Sequence, residues 1–115
     1  MSVILVSSDV DLQAILMDRL VPHGYTVLAT DDAETAEQLA RLPGVRSVLL
    51  DLDASPVHAT TFLRCLQQYC PKVRVIALSI RAQLGRAALQ AGASRYVVKP
   101  LDLPTVIIEL SQCGG

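Results

Sequence analysis

Ser47-Val48-Leu49-Leu50-Asp51 is the stretch on which the fold turns: the apolar run Val48, Leu49 and Leu50 closed by a carboxylate. An apolar run of this length, without polar alternation, reads as a strand buried on both faces, the kind that fills the middle of a parallel sheet. A charge at its carboxyl end needs a reason. In open α/β sheets, ligands and chemistry occupy the crevice beyond the C-terminal ends of the strands, so Asp51 marks a candidate site.

Working outward, strand-like segments recur at Val3 to Ser7, Tyr25 to Ala29, Val73 to Ser79 and Arg95 to Val98. Between and after them, apolar residues return at helical spacing. Leu12, Ile15, Leu16 and Leu20 share one face, as do Ala33, Ala36, Leu39 and Ala40. Phe62, Leu63, Leu66 and Tyr69 make a third stripe, Leu84, Ala87, Ala88 and Ala91 a fourth, and Leu103, Val106, Ile107 and Leu110 a fifth. Asp31 with Glu34 suggests a capping box opening the second helix, which Pro43-Gly44 closes, and Asp102 before Leu103 and Pro104 reads as the cap of the last. His23-Gly24 and Gly92 close the first and fourth helices. Strands joined by helices pair in parallel through right-handed crossovers. The expectation is α/β: a three-layer α/β/α sandwich whose five-stranded parallel sheet runs in the flavodoxin-like order 2-1-3-4-5.

The chain of 115 residues suits one compact domain. A hydrophobic fraction of 51% with 18% charged residues excludes disorder, and a formal net charge of -1 with scattered Arg and Lys gives no electrostatic footprint for direct nucleic-acid binding. Cys65, Cys70 and Cys113 lack metal-ligand or disulfide-framework spacing and read as buried thiols. His23 and His58 have no partner spacing and read as surface residues. The N-terminus shows no signal-peptide pattern, no apolar stretch approaches the ~20 residues of a membrane span, and a reducing cytoplasm is the simplest home.

The strand ends gather Ser7, Ser8, Asp9, Asp51, Ser79 and Lys99 at one edge of the sheet. With Ala91-Gly92-Ala93-Ser94-Arg95-Tyr96-Val97-Val98-Lys99-Pro100 and Val48-Leu49-Leu50-Asp51-Leu52, the chain resembles a receiver domain of bacterial two-component signalling over nearly its whole length. Residues 1-113 then form a single receiver-like domain, and 114-115 are a tail or linker stub, a hint that more protein follows. The resemblance implies that Asp51 accepts a phosphoryl group from a histidine kinase's phosphohistidine, that Lys99 pairs with that group, that Ser79 bonds one of its oxygens, and that Tyr96 is the aromatic switch. It also implies a cis Lys99-Pro100 peptide and an Mg²⁺ site drawing on Asp51, Asp9 and the position of Asp53, the last through a backbone carbonyl. Asp53 itself reads as an exposed loop residue. The activity implied is at most the chain's own phosphorylation and dephosphorylation, and the face formed by the fourth helix, fifth strand and fifth helix would serve docking to a signalling partner or homodimerisation.

Departures from the family pattern are as informative. Ser7 and Ser8 replace its pair of adjacent acidic residues, and a carboxylate near 4 Å from a cation is worth about 4 kcal/mol per unit of cation charge at an effective dielectric of roughly 20. Magnesium binding is therefore expected to be weak or absent. Asp9 also suits a helix N-cap, as does Ser8 in a capping box with Asp11. Ser55, Pro56 and Ala59 depart from the usual loop, and the connection after Ser79 is about two residues short. Two functions stay open: a phosphoacceptor with a degenerate metal site, or a phosphorylation-independent pseudo-receiver whose Asp51 to Lys99 ion pair holds a fixed conformation for protein contact. An unrelated nucleotide or cofactor binder is disfavoured, since Ser7-Ser8-Asp9 lacks the glycine of a phosphate loop and no D-x-H-x-x-G pattern occurs.

Overall fold

Strand residues point alternately to opposite faces, so an apolar strand with helices on both sides supplies two cores at once. In the computed structural model, which describes residues 1–53, 58–99 and 103–113, this is how the sheet is built. Its strands are β1 (Ser2–Val6), β2 (Thr26–Thr30), β3 (Val45–Asp51), β4 (Arg74–Ser79) and β5 (Arg95–Val98). They alternate with α1 (Val10–Leu20), α2 (Ala33–Ala40), α3 (Ala59–Tyr69), α4 (Ala82–Ala91) and α5 (Leu103–Cys113). All pairings are parallel, in the order β2-β1-β3-β4-β5. The expected fold is the observed one, with strand bounds moved by one or two residues.

Ile4, Val6, Val48 and Leu50 meet Ala36, Ala40, Phe62, Leu63, Leu66 and Ala88 on one side of the sheet. Val3, Leu5 and Leu49 meet Leu16, Leu20, Val106 and Leu110 on the other. Thus α2, α3 and α4 cover one face and α1 and α5 the opposite one. Burying each Leu or Phe contributes about 1.5–3 kcal/mol, and the whole of β3 from Ser47 to Asp51 is buried.

Some expected details shift. Ile15 is 51% exposed and Tyr69 58% exposed, so each drops out of its apolar stripe. Tyr69 instead lies under the guanidinium of Arg41, 5.2 Å from its ring centre, an exposed cation–π contact. The cap of α2 is Asp32, one residue beyond the expected Asp31, and accepts from the amide of Thr35 at 3.0 Å. Its carboxyl lies below the ordinary carboxylate range because the side chain and amide of Thr35 bond it. Cys70 is buried, whereas Cys65 is only partly so, and both are free thiols. Burial, then the neighbouring Glu37, pushes the Cys65 thiol up. The expected Lys99-Pro100 cis peptide, the Asp102 cap, the loop positions Ser55 and Pro56 and the 114-115 tail lie outside the described residues, as does the side chain of Cys113.

Candidate functional site

The register brings the polar strand ends together. Val6 pairs with Leu50, Asp51 with Leu78 and Ser79 with Val98, so Ser7, Asp51, Ser79 and Lys99 stand side by side at the C-terminal edge. Asp51 is completely buried. Its Oδ1 accepts from the Lys99 ammonium at 2.6 Å and from the Asp53 amide at 3.0 Å. Its Oδ2 accepts from the Ser7 hydroxyl at 2.7 Å, and that hydroxyl oxygen accepts the Asp9 amide at 3.0 Å. Satisfying a buried carboxylate in this way is what makes its burial tolerable.

Asp9 is the N-cap of α1: its Oδ1 accepts the amides of Asp11 and Leu12, both at 3.1 Å. The helix therefore starts from Asp9 rather than from a Ser8 capping box.

Asp53 departs most from expectation. The residue as a whole is exposed, but its side chain is only 19% exposed and is tied down. Oδ1 accepts from the Ser79 hydroxyl at 2.7 Å, and Oδ2 accepts from the Ile80 amide at 2.9 Å and lies 3.4 Å from the Lys99 ammonium. Burial raises the Asp53 carboxyl, but the bonds from Ser79 and Ile80 and the charge of Lys99 outweigh it, leaving it below the ordinary carboxylate range. These contacts bridge residues 26 and 27 positions apart, so no local pattern marks them. The D-x-D spacing of Asp51 and Asp53 at a strand end was the available hint.

Ser79 is buried, and its hydroxyl oxygen accepts the Arg81 amide at 2.9 Å. Its carbonyl accepts from the Tyr96 hydroxyl at 3.0 Å and the Lys99 amide at 3.1 Å. Tyr96 is half-buried, and its ring lies against Gly85 of α4 so closely that a Cβ there would stand 2.5 Å from ring carbons. That close approach requires glycine.

The donor set does not fit a carboxylate-built magnesium site. Magnesium is held by hard oxygens, usually including carboxylates. Here the Asp51 oxygens are spent on Ser7, Lys99 and the Asp53 amide, one Asp9 oxygen caps a helix, and the Lys99 ammonium opposes a second cation. Among the described residues, no group of three or more His, Cys, Asp and Glu could hold a metal ion. His58 and His23 are exposed, as expected.

The response regulator receiver domain family model matches residues 3–111. The chain belongs to the receiver domain family. This receiver domain is 31% identical over 93 residues to a chemotaxis protein CheY from Treponema pallidum (strain Nichols), across 76% of its own length and 65% of that relative's. The fold of the receiver domain of the TMAO respiratory response regulator TorR matches with a TM-score of 0.85 at 24% identity, covering 96% of this chain and 93% of that one. A receiver domain of a Pseudomonas aeruginosa PAO1 sensor histidine kinase, which has a magnesium ion in its active-site cleft, matches with a TM-score of 0.85 at 24% identity over 99% and 98% of the two chains. The beryllofluoride-activated NtrC4 receiver domain, a dimer, matches with a TM-score of 0.84 at 17% identity over 97% and 94%. The expectation of a two-component receiver domain is therefore met. Among the described residues, no helix is long and apolar enough to cross a membrane.

Proposed function

We propose that Asp51 is the phosphoacceptor of this receiver domain, working in a phosphorelay with a degenerate metal site. The observation that carries the reading is the 2.6 Å contact between the Lys99 ammonium and a fully buried Asp51 carboxylate at the C-terminal edge of the sheet. In the reaction, an Asp51 oxygen attacks phosphorus, the phosphorus–nitrogen bond of a kinase phosphohistidine breaks, and the imidazole leaves with the electron pair. An acyl phosphate results, and water later hydrolyses it. Lys99 balances part of the added negative charge, as a compact ammonium can. Ser7 must rotate away to open Oδ2, and the lack of an acidic pair makes magnesium assistance weak, so transfer is slow.

Ser79 and Tyr96 form the path outward. A change at the Ser79 hydroxyl reaches the Tyr96 hydroxyl through the Ser79 backbone, and Tyr96 sits against α4. The face of α4, β5 and α5 exposes Leu89, Val98 and Ile108, beside the Arg95–Glu109 ion pair at 3.1 Å, and suits a kinase, another signalling protein or a second copy. Free Cys65 and Cys70 accord with a reducing cytoplasm.

Incubation with acetyl phosphate, followed by intact mass, tests the reading. A single phosphoryl adduct that Asp51→Asn abolishes is expected. No adduct at high donor and high Mg²⁺ concentrations overturns it and leaves the pseudo-receiver, for which the enclosure of Asp51 by Ser7, Lys99 and the Asp53 amide speaks.

A further inference from the structure

The carboxylate of Asp53 is seated in a built anion site. Its donors come from three places: the Ser79 hydroxyl at the end of β4, the Ile80 amide in the connection to α4, and the Lys99 ammonium after β5, at 2.7, 2.9 and 3.4 Å. Hydrogen bonds to an ionised acceptor are the strong ones, and two of these are nearly ideal in length. Below them, the Ser79 carbonyl is gripped by Tyr96 and the Lys99 amide, and the Ser79 hydroxyl oxygen by the Arg81 amide. The two-residue connection between β4 and α4 is thereby pinned at Ser79 and at Ile80 by one side chain from the end of β3.

Lys99 serves two carboxylates, Asp51 at 2.6 Å and Asp53 at 3.4 Å. A phosphoryl group on Asp51 carries roughly -1.5 to -2 charges and three acceptor oxygens, and it would form beside an already anionic Asp53. One ammonium cannot neutralise both, and like charges at this range repel. Lys99 thus joins the two carboxylates, and the Ser79 hydroxyl and the Ile80 amide bond the Asp53 side of the pair.

We propose that Asp53 is an intramolecular latch: its carboxylate occupies the Ser79, Ile80 and Lys99 donors, clamps the β4–α4 connection while Asp51 is unmodified, and must let go when a phosphoryl group forms on Asp51. The release step rests on reading Asp51 as the acceptor, whereas the clamp does not. The latch makes the chain's own carboxylate a competitor of the incoming phosphoryl group, and it makes the β4–α4 connection respond to that competition.

The test compares wild type with Asp53→Ala, and with the isosteric Asp53→Asn in case the alanine variant does not fold. Two readouts are taken: amide hydrogen exchange at Ile80 and Arg81, measured also in an Asp51→Asn background, and the rate of adduct formation with acetyl phosphate. Removing a charge-assisted acceptor is expected to raise Ile80 exchange by about tenfold or more in both backgrounds, and to speed the adduct by about tenfold. Unchanged Ile80 exchange with an unchanged adduct rate overturns the latch while leaving the acceptor intact. Raised Ile80 exchange without any adduct in either protein supports the clamp and overturns the acceptor reading instead. A slower adduct in Asp53→Ala overturns the competition, because Asp53 would then be assisting transfer.

Discussion

Replacing Lys99 with methionine isolates the interaction on which the site depends. The ammonium lies 2.6 Å from Asp51 Oδ1, with the lysine side chain 15% exposed and the aspartate side chain fully buried. At that distance and an effective dielectric near 20, the attraction is about 6 kcal/mol. Methionine escapes the lysine's desolvation, and loss of one partner of a buried pair costs about 3–5 kcal/mol, against about 0–1 for an exposed one. Wild-type stability for a domain of this kind is about 5–15 kcal/mol, so the loss is a large share of it. With a urea m-value of about 1.5 kcal/mol/M, the midpoint is expected to fall by about 2–3 M. Adding Asp51→Asn removes the stranded charge and is expected to restore about 2 kcal/mol or more, and the coupling energy of the double-mutant cycle is that amount plus the cost of Asp51→Asn alone. A loss below about 1 kcal/mol in Lys99→Met, or a double variant no more stable than the single one, would show instead that the pair behaves like a surface ion pair.

Three other features carry expectations of their own. Gly85→Ala places a Cβ 2.5 Å from the Tyr96 ring, so the ring is expected to swing outward and lose its bond to Ser79. Overpacking of about 1–3 kcal/mol and a lost hydrogen bond of about 1 kcal/mol, set against about 1 kcal/mol of gained helix propensity, leave a net loss of about 1–3 kcal/mol, and Tyr96 ring shifts in NMR spectra report the displacement. Among the described residues, the Ser47 hydroxyl is a buried polar group without a hydrogen-bond partner, so Ser47→Ala is expected to stabilise by about 1 kcal/mol in urea denaturation. The Asp53 carboxyl is lowered in the fold, so its contribution is fully present above the ordinary carboxylate value of 3.8 and is lost as pH falls below it. The stability difference between wild type and Asp53→Asn is therefore expected to stay constant from neutral pH to about pH 5 and to shrink in more acid solution.

The sheet was legible because β3 is apolar at every position from Val48 to Leu50, which only burial on both faces explains, and because each helix repeats its small or branched residues at one spacing. Periodicity overreached at Ile15 and Tyr69, where an apolar residue at the edge of a stripe meets solvent and pattern alone cannot see the curvature of the packing. The cap of α2 moved from Asp31 to Asp32 because adjacent aspartates compete and Thr35 supplies both an amide and a hydroxyl to the second. In the site, Asp51, Lys99 and Ser79 were readable as strand-end polar residues. The seat of Asp53 was not, since it depends on a side chain meeting donors one crossover away at Ser79 and Ile80 and two crossovers away at Lys99, which only the sheet order brings near.

If Asp51 is the acceptor in a pocket that disfavours magnesium, as proposed, the rate of Asp51 phosphorylation by acetyl phosphate as Mg²⁺ is titrated will show it. The wild-type rate is expected to be slow and nearly independent of Mg²⁺, and to become faster and Mg²⁺-dependent in Ser8→Asp. A wild-type rate that climbs steeply and saturates with Mg²⁺, unchanged by Ser8→Asp, would contradict it.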